Sequence, residues 1–154
     1  MKTKYLAFIL CVMCAVSISA QQFKFKAMDG ETLTDKRTGL VWLRDAGISQ
    51  KMKWKDAFTF CDNLKAAGYD DWRLPTKAEF MTIVEDYPEL ESWIPLMEKD
   101  GFSNVQKEYW TATEAFENSP RAWGVDMRMG TVDRFTKDVS ARMLWVLPVR
   151  GKMK

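Results

Sequence analysis

The chain of 154 residues carries 23 basic and 21 acidic side chains, a formal net charge of +2, and contains no histidine. Without histidine, the usual zinc sites, the Ser-His-Asp triad and the Cys-His dyad are excluded. A net charge this close to zero gives no electrostatic reason to expect binding to nucleic acid.

The beginning of the chain has the pattern of a secretory signal peptide over residues 1–20. Lys2 and Lys4 form a basic start, residues 5–16 are mostly apolar, and small residues lead to a predicted cleavage site after Ala20. The alternative is a membrane anchor, but the apolar run is short against the roughly 20 residues that a bilayer span needs. We therefore expect a secreted protein, in the periplasm or at the cell surface, with one domain over residues 21–154 and no integral membrane span after cleavage.

Removal of the signal peptide would change the charge and the number of cysteines. The rest of the chain holds 21 basic and 21 acidic residues and a single cysteine, Cys61, so it could form no intramolecular disulfide. The charge is also uneven, because residues 85–119 hold nine acidic side chains and residues 121–154 hold eight basic ones. Either these two segments pair in the fold, or the basic segment forms a face that binds a polyanion.

Short strands and one clear helix are predicted for the first half of the domain. FKFKAMDG alternates apolar and basic residues, as a strand with one solvent-facing side does, and residues 40–43 form an apolar strand after a turn in which Gly39 suits a positive φ. Residues 53–68 have apolar side chains at helical spacing and finish at Gly68, a glycine typical of helix C-termini. Cys61 lies on the apolar side of this helix, so we interpret it as a buried hydrophobe rather than a reactive thiol.

The stretch GYDDWRLPT, residues 68–76, predicts a sharp corner between an extended segment and a second helix. Pro75 favours an extended residue before it, and Thr76 with Glu79 matches a capping box at a helix start. Apolar residues then follow at helical spacing, so a second helix is predicted after the corner.

Arg73 stands between two apolar residues of this corner. Trp72 and Leu74 alternate around it, which predicts that both point into the core. Arg73 is then either exposed to solvent or a buried orienting residue that binds carbonyl groups and a carboxylate through its fork of donors. We favour the second interpretation.

The second half reads as a long irregular excursion followed by strands. Residues 85–108 contain two prolines and many acidic side chains, so at most a short helix is expected there. EYWTATEAF predicts a strand, and RAWGVDMRMGTVDRF predicts a hairpin around Gly130. A three-residue turn would place Asp126 opposite Arg134, and we prefer it to a two-residue turn that would oppose Asp126 and Asp133.

The last predicted element is a central strand. Residues 143–147 are almost continuously apolar, as in a strand buried on both faces, and Pro148 should lie at its end or at a bulge.

Several motifs together resemble one known family. TGLVW, WRLPT, YWTAT and the closing VLPVRG occur in the order expected for the Lcl C-terminal domain family, named for the end domain of bacterial collagen-like adhesins, and the resemblance covers roughly residues 29–151. It implies an α+β, C-type lectin-like fold with two helices flanking a small antiparallel sheet and a long irregular loop excursion. The residues that form this structural signature are Trp42, Trp72, Arg73, Pro75, Thr76 and Trp110.

The resemblance also implies export and, in the collagen-like adhesins, binding of sulfated polysaccharides. This chain has no collagen repeat and no net positive charge without the signal peptide, so that ligand is not carried over directly. The calcium-dependent lectins of the same fold use Glu-Pro-Asn or Gln-Pro-Asp and Trp-Asn-Asp runs, and none of these occurs here. We therefore expect no bound metal and no cofactor.

The function predicted from these observations is an exported, non-enzymatic binding module for a glycan or a protein, with a polysaccharide or an envelope protein as partner. The alternative is a structural or assembly subunit of an envelope complex. An enzyme of the formylglycine-generating type needs paired cysteines, which Cys61 alone cannot supply. The candidate ligand-binding residues, chosen as aromatic or charged side chains on the irregular stretch and the late strands, are Trp93, Tyr109, Glu114, Arg121, Asp126, Arg128 and Arg134.

Overall fold

The structure is a computed structural model that describes residues 24–27 and 29–154, so the predicted signal peptide lies outside the described residues. Four strands form one antiparallel sheet, in the spatial order β1 (Phe25–Ala27), β2 (Thr32–Asp35), β3 (Val41–Leu43) and β7 (Val149–Arg150). Three strands form a second antiparallel sheet, in the order β4 (Glu108–Glu114), β5 (Arg121–Asp126) and β6 (Thr131–Thr136). The helices are α1 (Trp54–Asp62), α2 (Lys77–Val84) and α3 (Ile94–Lys99).

The described residues form an α+β domain, as the sequence predicts, but the expected arrangement of two helices and one sheet is too simple. There are two small sheets, and α3 is a third helix that lies inside the excursion of residues 85–108. Pairing of β3 with β7 places the two ends of the described chain in one sheet. No helix within residues 24–27 and 29–154 is both long enough and apolar enough to cross a bilayer.

Two of the three signature tryptophans, Trp42 and Trp110, belong to two separate clusters of buried side chains, and the third, Trp72, is 2% exposed. Trp42 is fully buried and packs edge to face against Phe80 of α2, with ring centroids 6.1 Å apart. Trp110 is equally buried and packs edge to face against Phe135 at 6.1 Å. Cys61 belongs to the cluster of Trp110, and burial raises the pKa of its thiol to about 12. A thiol that stays protonated in an apolar site behaves as a small hydrophobe, as predicted.

The GYDDWRLPT corner has the predicted capping geometry. The Thr76 hydroxyl accepts a hydrogen bond from the Glu79 amide at 3.2 Å, and the Glu79 carboxylate accepts one from the Thr76 amide at 2.9 Å. Arg73 donates to the two carboxylate oxygens of Glu79 at 2.8 and 2.6 Å and to the carbonyl oxygen of Gly151 at 2.7 Å. The orienting part of the interpretation of Arg73 is therefore confirmed, because this one side chain joins the start of α2 to the end of β7. Its predicted burial is wrong, since the side chain is 36% exposed.

Acid is expected to weaken this corner. Burial alone would raise the pKa of Glu79, but the hydrogen bonds from Arg73 and Thr76 outweigh burial and lower the pKa below its ordinary value of 4.5. Because the folded pKa is the lower one, the ion pair contributes fully above the unfolded pKa, and this contribution is lost as the pH falls through the folded pKa. In urea unfolding, the difference in free energy between wild type and Glu79→Gln should therefore narrow over the acidic range below the ordinary pKa of 4.5. A difference that stays constant across this range would contradict the proposed role of the carboxylate.

The register of the β5–β6 hairpin differs from both registers considered above. Asp126 stands opposite Thr131, so residues 127–130 form the turn. The preferred pairing of Asp126 with Arg134 is wrong, and so is the alternative pairing with Asp133. The Asp126 carboxylate accepts hydrogen bonds from two amides of the turn at 2.9 and 3.1 Å, and this local bonding stabilises a longer loop than the two considered.

Residues 143–147 do not form the continuous central strand that their apolar character predicts. Leu144 exchanges backbone hydrogen bonds with Met52 at 3.0 and 3.1 Å, and the carbonyl of Trp145 accepts one from the Trp110 amide at 3.0 Å. The segment is buried as expected, but its hydrogen-bond partners come from different elements on its two sides. Single bridges therefore replace a strand ladder, and the proline that follows lies just before β7.

Helix α1 is shorter than predicted and ends at Asp62. The side-chain amide of Asn63 donates to a carbonyl of the last turn at 2.8 Å, and the chain then turns so that Ala66 and Tyr69 exchange hydrogen bonds at 3.0 and 2.9 Å. Gly68 has a φ of +74° inside this turn. Its positive φ thus serves a β-turn rather than the helix end.

Candidate functional site

One face of the second sheet brings together basic side chains and an indole. Side chains alternate along a strand, and Trp123 of β5 stands directly opposite Arg134 of β6, with Arg121 two residues away on the same face. Lys77, the first residue of α2, lies with its Nζ 3.5 Å from the centre of the Trp123 ring, and the Arg134 guanidinium carbon lies 5.6 Å from that centre. These four residues are called the cationic cluster below.

The corner before α2 positions the lysine of this cluster. The capping box makes Thr76 the N-cap, so Lys77 begins the helix. The Lys77 amide donates to the Thr113 hydroxyl at 2.9 Å, and the Ala112 amide donates to the Pro75 carbonyl at 2.7 Å. These two bonds tie the start of α2 to β4 and hold the lysine over the indole of the neighbouring strand.

The cationic cluster has no carboxylate partner within the described residues. Lys77, Arg121 and Arg134 take part in no ion pair there, whereas other basic residues near the end of the chain do. These pairs are Arg128 with Asp126 at 3.1 Å and Glu108 at 3.4 Å, Lys137 with Glu114 at 2.9 Å, Arg142 with Glu108 at 3.5 Å, and Arg150 with Asp71 at 2.6 Å. Acidic residues of the segment 85–119 thus form ion pairs with some of the basic residues of the segment 121–154. The positive charges of the cationic cluster are not neutralised by such pairs among the described residues.

Five of the seven candidate residues lie outside the cluster. Arg128 and Asp126 bind one another at the hairpin turn, and the hydrogen bond from Lys137 holds the pKa of Glu114 below its usual range. The cationic cluster therefore contains only Arg121 and Arg134 of the predicted set, and Arg128 and Asp126 form a separate pair.

The two aromatic candidates are core residues, which corrects their prediction as exposed ligand contacts. Trp93 is 3% exposed and its indole donates to the Pro88 carbonyl at 2.7 Å. Tyr109 is 0% exposed and its hydroxyl donates to the Ala46 carbonyl at 2.9 Å. Each polar group is satisfied inside the protein, so neither ring presents a face on which a sugar could stack.

Trp123 and Lys77 are site residues that the sequence reasoning misses. Trp123 shares a strand face with Val125, as predicted, and that pattern suggests an inward side chain, but Trp123 is only partly buried. The spacing of Arg121 and Trp123, two residues apart in a predicted strand, is the one local signal available. The approach of Lys77 depends on packing of α2 against the sheet, which no local pattern encodes.

A cleft of about 380 Å³ adjoins the cluster, between α2, the excursion and β6. It is lined by Lys77, Met81 and Val84 of α2, by Val132 of β6, and by Leu90, which is 76% exposed. Acidic side chains of the excursion also line the cleft. Within the described part of the chain, no group of three or more Asp, Glu, Cys or His side chains is arranged to hold a metal ion.

Comparison with protein families matches residues 31–150 to the Lcl C-terminal domain. The matched segment runs from β2 to β7 and includes the corner, both longer helices and the whole cationic cluster. No curated protein matches the chain.

Proposed function

The chain belongs to the Lcl C-terminal domain family, and on that premise we propose that it is an exported, non-enzymatic module that binds a glycan or a protein at the cell surface or in the periplasm. The fold proposed with it is C-type lectin-like. Support comes from the order of two helices, an irregular excursion and late strands, and from the presence of the first and last described strands in one sheet. The basic and apolar start of the sequence supports export.

An anionic glycan is the ligand class that the geometry supports best. The observation that carries this proposal is the cationic cluster. Lys77, Arg121 and Arg134 have no carboxylate partner among the described residues, and the charged groups of Lys77 and Arg134 lie over a partly exposed indole. Ammonium and guanidinium groups bind sulfate or carboxylate oxygens through charge-assisted hydrogen bonds, and an indole offers an apolar face to a sugar ring. At an exposed site these attractions are screened by salt, so the affinity should be moderate and salt-dependent.

Heparin titration tests this proposal. We expect wild type to bind heparin at low salt and more weakly at moderate salt, and the triple variant K77A/R121A/R134A to lose about tenfold to a hundredfold in affinity, since each lost contact costs about 0.5–1 kcal/mol. The matched control is K51A/K55A/K65A, which removes three basic side chains outside the cluster and should stay close to wild type. Absence of binding at both salt concentrations would contradict the anionic-glycan proposal.

A structural or assembly role in an envelope complex is the second candidate. Leu90 and Met129 are 76% and 56% exposed, and the first of them edges the cleft beside α2. Exposed apolar side chains next to a cleft are a feature of protein contacts. This candidate shares export and the absence of catalysis with the first and differs only in the ligand.

A further inference from the structure

Along one side of β6, most backbone hydrogen-bonding groups have no partner among the residues that the structure describes. The Lys137 amide donates to the Pro120 carbonyl at 3.0 Å, which continues the β5–β6 register. Because hydrogen-bonded pairs alternate along an antiparallel ladder, residues 131, 133 and 135 direct their backbone groups towards β5. The N–H and C=O groups of Val132, Arg134 and Thr136 therefore point away from the sheet.

Within residues 24–27 and 29–154, all but one of these outward groups lack a hydrogen-bond partner. The other outer strand of this sheet, β4, differs in this respect. The Arg134 amide bonds the Asp133 carboxylate at 2.7 Å, and it is the one outward group of β6 with a partner there. The outer side of β4 is covered, because the Trp110 amide donates to the Trp145 carbonyl at 3.0 Å and a second amide of β4 donates to the Pro75 carbonyl. An open edge of this length is a template for strand addition.

The cleft lies beside this edge and adds a place for a side chain. If another strand were added at this edge, its residue opposite Val132 would lie on the same face as the cationic cluster and would reach the cleft. Its residue two positions away would lie opposite Arg134. Leu90, which edges the cleft, has a φ of +60° and is 76% exposed. A leucine in the left-handed region is strained, and such strain at an exposed apolar residue points to a contact site.

A second copy of the chain is a poor occupant of this edge. In an antiparallel pair, directly opposite residues have their side chains on the same face of the sheet. When a twofold axis relates the two strands, this condition requires that one residue stand opposite its own copy. In the middle of β6 that residue is Asp133 or Arg134. Either residue would then stand opposite the same charged residue of the second copy, and this repulsion destabilises the pairing of the two strands.

We propose that the β6 edge accepts an extended segment of a partner protein as an additional strand. An apolar side chain of this segment enters the cleft opposite Val132, and an acidic side chain two positions away pairs with Arg134. Main-chain hydrogen bonds supply affinity and the two side chains supply selectivity. The inference rests on the second candidate function, protein binding, and does not require glycan binding.

Selection from a random library of displayed peptides, about ten residues long to span an edge strand, tests the proposal on the whole secreted chain. Wild type should enrich peptides in which an acidic residue lies two positions from a large apolar one. Arg134→Glu should instead enrich a basic residue at that position, whereas Lys65→Glu, the same charge change elsewhere, should select the wild-type pattern. The best synthetic peptide should slow hydrogen exchange of the Val132 and Thr136 amides.

Several outcomes would overturn the proposal. In the selection, these are a lack of any enriched peptide on wild type, or enrichment of the same peptides on Arg134→Glu as on wild type. In hydrogen exchange, the contradicting result is protection confined to amides outside β6. A dimer of the chain that buries β6 would also contradict the proposal. Leu90→Ser should weaken the best peptide about tenfold through lost apolar contact. Heparin affinity of wild type and of Leu90→Ser separates the two proposals, because Leu90 is outside the cationic cluster and its substitution should leave heparin binding unchanged. Failure of wild type to bind heparin defeats the glycan proposal alone, and failure of wild type to enrich peptides defeats this proposal alone.

Discussion

Gly130→Ala should lower the free energy of unfolding by about 3 kcal/mol, combining a left-handed φ penalty of about 1–2 kcal/mol with an overpacking cost of about 1–3 kcal/mol. Gly130 has a φ of +62°, and a Cβ there would collide with the carbonyl oxygen of Glu91 and lie 2.9 Å from the Trp93 indole nitrogen. The Trp93 amide also donates to the Met127 carbonyl at 2.7 Å. The hairpin turn and the excursion therefore meet with no room for a methyl group.

Gly68→Ala is the matched control for this prediction. Gly68 also has a positive φ, +74°, but no atom of the described residues beyond its chain neighbours lies within 4 Å of a Cβ placed there. The control should cost only the φ penalty, about 1 kcal/mol. Urea unfolding of both variants measures the difference, and equal costs would show that the excursion does not dock on the hairpin turn.

Arg73→Leu should destabilise the domain by about 2–3 kcal/mol, at the low end for breaking a buried ion pair because Arg73 is itself partly exposed. The Glu79 side chain is 8% exposed, against 36% for that of Arg73. Loss of Arg73 would leave this carboxylate with the Thr76 hydrogen bonds alone and would free the Gly151 carbonyl at the end of the chain.

Lys77→Leu is the control on the same corner. Lys77 makes a cation–π contact with Trp123 and no ion pair within the described residues, so its loss should cost less than about 1 kcal/mol of stability. Thermal unfolding compares the two variants, and equal melting temperatures would contradict the role assigned to Arg73. Heparin affinity should show the opposite order, because Lys77 belongs to the cationic cluster and Arg73 does not.

Local patterns were sufficient for the parts of the fold that depend on local chemistry. The capping box at Thr76, the buried residues on either side of Arg73 and the apolar side of α1 all follow from spacing over a few residues. The hairpin register failed because an aspartate side chain bonds the turn amides, which changes the loop length without changing the strand pattern. The apolar run at residues 143–147 failed because burial on both sides does not require strand partners on both sides.

The site was harder to predict than the fold, since it depends on distant contacts. Aromatic residues in an acidic, irregular segment suggested exposure, but Trp93 and Tyr109 find hydrogen-bond partners inside the core. Arg121 and Arg134 could be chosen from charge and strand position alone. Their proximity to Lys77 requires α2 to pack against β4, which depends on tertiary contacts. That they have no acidic partner among the described residues follows only from the ion pairs that the other basic residues form.

The salt dependence of heparin affinity tests the cationic cluster most directly. Each basic side chain that neutralises an anionic group releases counterions, so the slope of log Kd against log salt should be shallower by about 2–3 in K77A/R121A/R134A than in wild type. The control K51A/K55A/K65A should keep the wild-type slope. The same slope in all three proteins would contradict the assignment of Lys77, Arg121 and Arg134 as the glycan-binding residues.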